Sequence, residues 1–217
     1  SGVCFDETAD YDGLTIHEIN DALYNFTEAN PDFHLDLIGF DACLMATYEA
    51  AAHMQYYADF MVASEELEPS LGWNYAWLNA LGENPALDAQ GIGVAIADAY
   101  MEACLGENPD DYLSMSVLYL PAMDYLVSTM ETYASYLSQA LDAGQLSTFS
   151  RARQRMYAFG DFDSATSDMV DMMALIDGTR TIAPQTADVL QTAYERVVRY
   201  NVGTRKFDYL TGMSVYF

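Results

Sequence analysis

Leu35-Asp36-Leu37-Ile38-Gly39-Phe40-Asp41-Ala42-Cys43-Leu44-Met45 begins as an extended apolar run and ends on a cysteine. An alanine-rich helical pattern over 46–58 follows directly. Leu37, Ile38 and Phe40 suit a short strand buried on both faces, as in a parallel sheet. Gly39 leaves room for another backbone to come close. Cys43 is therefore expected at the carboxyl end of a strand and the start of a helix. Open α/β sheets hold their chemistry at that edge, because backbone N–H groups there can stabilise a thiolate or an oxyanion. The plainer reading of the same cysteine is a small packed apolar residue.

Outward from this stretch, Phe60-Met61-Val62-Ala63-Ser64 reads as a second buried strand. It runs into Glu65-Glu66-Leu67-Glu68-Pro69-Ser70-Leu71-Gly72-Trp73, a carboxylate loop closed by Gly and Trp. If the two strands are parallel neighbours, this loop lies beside Cys43 and the pair of loops builds a pocket. Residues 113–120 look like a third strand and 212–217 like a strand at the end of the chain. Thr15-Ile16-His17-Glu18 is a capping box opening a helix to about Phe26. Further helices are expected over about 75–81, 88–104, 121–141, 145–157, 164–176 and 184–201. Strands alternating with helices predict an α/β fold with a mainly parallel central sheet.

The chain has 217 residues, enough for one sizeable domain. It carries 33 acidic against 8 basic residues, a formal charge of −25. Such a surface repels nucleic acid and anionic membranes and attracts cations and basic peptides. No apolar run is long enough to span a bilayer. Cys4, Cys43 and Cys104 form neither a disulfide framework nor a zinc spacing. All eight basic residues lie between Arg151 and Lys206. Either the composition simply drifts acidic, or the first 150 residues are cleared of sites for a protease that cuts after basic residues. Residues 1–13 form a polar loop with Asp6, Glu7, Asp10 and Asp12, which does not match an EF-hand but offers oxygens for a looser Ca²⁺ site. The first residues read like the middle of a protein and the last like a sheet strand, so a longer parent chain is expected.

Gly2-Val3-Cys4-Phe5-Asp6-Glu7, Gly39-Phe40-Asp41-Ala42-Cys43-Leu44-Met45 and Met61-Val62-Ala63-Ser64-Glu65-Glu66-Leu67-Glu68-Pro69 with Gly72-Trp73 resemble the clostripain family of cysteine peptidases. Weaker matches are Asp168-Met169-Val170-Asp171 and the closing 212–217. The resemblance spans nearly the whole chain. It implies a caspase-like three-layer α/β/α sandwich with a mainly parallel central sheet. Residues 1–217 would be most of one such peptidase domain, lacking an upstream segment with the catalytic His and a downstream continuation. It also implies a bacterial protein, secreted or at the cell surface, that undergoes proteolytic processing.

The resemblance makes Cys43 the nucleophile of a Cys–His dyad. It places Asp41 in the pocket for the substrate's P1 side chain, where a carboxylate pairs with Arg or Lys. The plain structural role for Asp41 is a strand-end residue capping the next helix. Ser64, Glu65, Glu66 and Trp73 complete the expected substrate-binding set. The sequence has no His-Gly, and about 50 residues back from Cys43, the caspase spacing, lies outside the chain. The His is therefore expected upstream, in a linked segment or a companion chain; His17, His34 and His53 are poor substitutes. Where some relatives carry an acid before the Gly-Trp, this chain has Leu71. Glu65, Glu66 or Glu68 is then the candidate to compensate. The chemistry requires no cofactor; Ca²⁺ is implied as an activator or structural ion, with no ligand set readable.

The leading expectation is a cysteine endopeptidase acting on proteins or peptides after Arg or Lys. The alternatives are a non-catalytic caspase-like module that binds peptides or proteins, and a peptidase with an apolar P1 preference. No nucleic-acid partner and no membrane insertion are expected.

Overall fold

The computed structural model describes residues 2–160, 168–204 and 209–217. Its centre is a sheet of four strands, β3 (Leu35–Gly39), β4 (Ala58–Ala63), β5 (Ser114–Tyr119) and β7 (Val198–Gly203), in the order β3-β4-β5-β7. β3 and β4 are parallel, with Leu37 opposite Phe60 and Gly39 opposite Val62. The βαβ link between them is α2 (Tyr48–Met54).

The sheet is mixed, which corrects the expectation of a mainly parallel one: β5 runs antiparallel to both β4 and β7. The reason lies in the connection. From the end of β4 the chain descends through loop 64–74 and α3 (Leu78–Glu83), then climbs again along α4 (Ala89–Glu107). Gly93 of α4 sits on Val62 and Val117, where a Cβ would lie 2.9 Å from the Val117 side chain. The ascent is thus spent on the helix, and β5 re-enters the sheet from the top, pairing Ser116 with Ala63.

Both faces of the sheet are covered, giving three layers. Ile96, Ala97, Tyr100 and Cys104 of α4 pack with Val62, Met115 and Val117 on one face. On the other, Met61, Ala63 and Leu118 meet α2, α5 (Met123–Asp142), α7 (Met172–Thr179) and α8 (Pro184–Val197). Each such apolar side chain contributes about 1.5–3 kcal/mol on burial. Met61, Val62 and Ala63 are fully buried, as expected of a strand covered on both sides, whereas Leu35, Leu37 and Ile38 of β3 are only half-buried.

The remaining elements correct several boundaries. Residues 2–15 form a hairpin rather than a plain loop: β1 (Gly2–Asp6) pairs antiparallel with β2 (Asp12–Thr15). α1 (Ile16–Ala29) opens on the expected capping box, with the Glu18 N–H donating to Thr15 Oγ1 at 3.3 Å and the Thr15 N–H to Glu18 Oε2 at 2.9 Å. α6 spans Leu146–Arg153. The helix expected over 164–176 starts in residues outside the described ones; within them β6 (Met169–Asp171) precedes α7. The helix expected to reach 201 ends at Val197 and turns into β7. The closing strand exists as β8 (Ser214–Tyr216), but it pairs with β6 in a separate two-stranded sheet.

Candidate active site

Because β3 and β4 are parallel, the loops leaving them emerge at one edge and are stitched together. The Phe40 N–H donates to Val62 O at 3.0 Å, the Ala46 N–H to Ser64 O at 2.8 Å, and the Leu44 N–H to Glu66 O at 3.2 Å. Cys43 is exposed on the first loop. Its Sγ accepts the Glu68 N–H at 3.2 Å, which orients the sulfur from the second loop.

Cys43 does not sit at a helix start, as the sequence reading has it. Cys43 and Leu44 form a turn with Leu44 at φ +62°, the Thr47 N–H bonds back to Met45 O at 2.8 Å, and α2 begins only at Tyr48. The Thr47 side chain is the cap, accepting the Ala50 N–H at 2.9 Å. Any oxyanion donor here is therefore a loop N–H. Among the described residues, no acceptor takes the Cys43 N–H.

Asp41 is not a helix cap either. It reaches across to the second loop, where Oδ1 accepts the Trp73 N–H at 3.0 Å and Oδ2 accepts the Tyr75 hydroxyl at 3.1 Å. Gly72 makes this approach possible, with φ +65° and a would-be Cβ 3.1 Å from Asp41 Oδ1. Trp73 is 9% exposed, and the edge of its ring fills the space a Cβ on Gly39 would need, 2.8 Å away. Gly39 therefore admits an indole, not a second backbone.

Ser64, Glu65 and Glu66 are all fully buried, so the structure does not expose them to a ligand at this edge. They tie the second loop to distant parts of the chain. Ser64 Oγ lies 3.1 Å from Ser114 Oγ and accepts the Glu66 N–H. Both oxygens of Glu66 are used: Oε1 accepts the Leu67 and Gly160 N–H groups at 2.8 and 3.0 Å, and Oε2 accepts the Tyr157 hydroxyl at 2.9 Å. Glu65 Oε2 accepts the Gly212 N–H at 2.9 Å, and its Oε1 is buried with no hydrogen-bond donor. Burial, with the Asp171 carboxylate beside it, pushes the Glu65 carboxyl well above the usual range. Asp171 itself caps α7 and holds Thr211 through N–H and Oγ1 at 2.7 and 2.8 Å.

Glu68 differs from its neighbours. Oε1 is buried and has no hydrogen-bond partner, while the residue as a whole remains partly exposed. Burial first, and then the charge of Asp41, push its carboxyl up to about 8, while a hydrogen bond from the Trp73 side chain pulls the other way. The buried Tyr100 hydroxyl near it is unpartnered. Tyr75, Tyr100, Tyr157 and Gly160 were not singled out from the sequence. Tyr75 stands two residues from the Gly-Trp pair and could have been noticed; the others come from far along the chain.

No histidine among the described residues hydrogen-bonds Cys43. His34 pairs with Asp59 at 3.0 Å, at the opposite end of β3. His17 and His53 line one cavity of about 210 Å³ with Leu44 and Glu49. Among the described residues, no group of three or more His, Cys, Asp or Glu could hold a metal ion. Of the carboxylates considered for Ca²⁺, Asp6 accepts from Thr8, Glu65 from Gly212, and Glu66 from Gly160.

The sequence profile of the clostripain family matches residues 1–215. The chain belongs to the clostripain family. No curated protein matches it. Solved structures of this family share its fold. An inactive zymogen C11 protease from Parabacteroides distasonis superposes with a TM-score of 0.68 at 17% identity, covering 100% of this chain and 61% of that one. A secreted C11 cysteine protease from Bacteroides thetaiotaomicron, in complex with an irreversible peptide inhibitor, gives 0.66 at 18%, covering 95% and 57%. A clostripain from the same species, in complex with the peptide inhibitor BTN-VLTK-AOMK, gives 0.64 at 14%, covering 98% and 89%. This family member thus spans about three fifths of the first two proteins. The expected caspase-like α/β sandwich is the fold found.

Proposed function

We propose that this chain is the nucleophile-bearing part of a cysteine endopeptidase that cleaves proteins or peptides after Arg or Lys. The observation that carries the reading is the pairing of an exposed Cys43 with Asp41 on one loop at the sheet edge, inside a family match over 1–215. In this mechanism the Cys43 thiolate attacks the carbonyl carbon of the scissile bond. The carbonyl electrons move to oxygen, and the Cys43 N–H donates to that oxyanion. A histidine from a segment upstream of Ser1, linked or in a companion chain, takes the thiol proton and passes it to the leaving amine. Water then hydrolyses the acyl-enzyme and frees the cysteine. No cofactor enters these steps.

The acidic balance of the chain, 33 against 8, favours basic substrates. No helix is long and apolar enough to cross a membrane. A secreted relative supports release from, or display on, a bacterial cell. A second reading, an apolar P1 preference, is favoured by Leu71, which is 52% exposed beside Gly72.

Two fluorogenic peptides that differ only in arginine or norleucine at P1 decide between them when cleaved by the full-length, naturally processed protein. Preferential cleavage after arginine is the expected result. Preference for norleucine would replace the lead with the second reading. Absence of cleavage of both would leave a peptide-binding module.

A further inference from the structure

We infer that the cavity between α6 and α7 is a binding site for a compact oxyanion, a phosphate or carboxylate group, received by Arg151 and Arg155. The inference does not depend on the peptidase reading, because none of the residues around Cys43 lines this cavity. Its volume is about 490 Å³, within the range of small-molecule sites. Arg151 and Arg155 line it from α6 and the turn after that helix. Asp177 and Thr181 line it from α7 and the turn that follows. Gly178 adds no side chain to fill the space, and a Cβ there would lie 2.6 Å from Met156 Cε.

Charge sets this cavity apart. The chain has 8 basic residues against 33 acidic, none of the eight before Arg151, and two of them meet at this one space. In so acidic a protein a guanidinium has many carboxylates to choose from. Yet among the described residues neither Arg151 nor Arg155 forms an ion pair. Arg151 Nε donates to Ser147 O at 3.1 Å, which anchors the guanidinium and leaves its terminal nitrogens to face a ligand. Asp177, the carboxylate that lines the cavity, is already engaged: Oδ1 accepts from Arg180 Nε and Nη2 at 3.3 and 2.9 Å. What remains is two unmatched positive charges with the hydroxyls of Thr148 and Thr181. Forked guanidiniums and hydroxyl donors are the chemistry that holds phosphate and carboxylate oxygens. Helix capping does not account for the arrangement. Arg151 and Arg153 both lie in the last turn of α6, where a cation suits the helix dipole. Arg153, however, lines a different cavity with Phe149 and Phe217, and Arg155 lies beyond the helix end. The rest of the acidic surface repels anions, so the attraction is short-ranged and weakens with added salt.

The test is isothermal titration calorimetry of the full-length, naturally processed protein with pyrophosphate and, separately, with citrate at low ionic strength. The expected result is saturable one-site binding of at least one probe, weakened by added NaCl. Arg151→Gln and Arg155→Gln should each weaken it by about tenfold or more, the worth of one charged hydrogen bond. Arg153→Gln, whose side chain faces the other cavity, should leave it within about twofold. Arg155→Lys keeps the charge and gives up the fork, so its affinity should fall between those of Arg and Gln. Both cavity arginines are exposed, so these variants should keep the wild-type melting temperature. Tighter binding of pyrophosphate assigns the site to a phosphate-bearing ligand, and tighter binding of citrate to a carboxylate-bearing one. No saturable heat with either probe, or binding that survives in the Arg151→Gln, Arg155→Gln double variant, would overturn the inference.

Discussion

Residues 64–66 and residues 68–73 belong to one loop, yet they handle carboxylates in opposite ways. The first three form the floor of the loop at 0% exposure, bound to distant parts of the chain: Ser114, Tyr157, Gly160 and Gly212. The rest form the rim, where Glu68 touches Cys43 through its backbone and Trp73 donates its N–H to Asp41. The floor is fully enclosed and tied to partners far along the chain; the rim stays partly open beside Cys43. A run of acidic residues at a sheet edge is therefore not one feature. Its members divide according to how deeply they are buried and how far away in sequence their partners lie.

The sharpest way to break this contrast is at the sulfur. Cys43→Ala should lower turnover by at least about a thousandfold, while the melting temperature barely moves, because an exposed side chain leaves little packing behind. Cleavage at the wild-type rate would remove Cys43 from the chemistry.

On the floor, Glu66→Ala strands the donors of Leu67, Tyr157 and Gly160 and should cost about 3 kcal/mol of stability in urea unfolding. A loss below about 1 kcal/mol would mean that the floor is not held this way. Gly72→Ala forces a left-handed φ and crowds Asp41, so it should cost about 1–2 kcal/mol and weaken the rim without touching the floor. Thermal melts of the two variants separate the regions.

Glu65 gives the smallest effect, and it appears as a slope. Unfolded, its carboxyl ionises near 4.5; folded, it holds its proton to well above that. The unfolded state then binds fewer protons, so stability falls as pH rises from about 4.5 toward the folded value. Glu65→Gln should flatten that fall, measured by urea unfolding across pH, and should match the wild type at acid pH. An unchanged slope would mean that Glu65 is not the group responsible.

Much of this arrangement could be read from residues 35–45 and 60–73. Short apolar runs followed by polar loops located both strands, and their parallel pairing put the loops at one edge. What could not be read depends on partners far away in sequence. Polar residues at 64–66 look solvated by composition, and only donors up to 147 residues distant bury them. β7 was hidden because the apolar spacing of α8 runs into Val198, and Arg199, Tyr200 and Asn201 show no alternation of period two. The late start of α2 was hidden because a positive φ at Leu44, a residue with no preference for one, leaves no sequence mark. The hold of Asp41 on Trp73 and Tyr75 needed the glycine between the loops to be seen in space.

Intact mass spectrometry after incubation with a peptidyl-arginine acyloxymethyl ketone, on natively purified protein, tests the central claim most directly. The account predicts a single covalent adduct mapped to Cys43, and a histidine-bearing segment in the same spectrum. An adduct on Cys4 or Cys104 instead, or none on protein that does contain that segment, would contradict it.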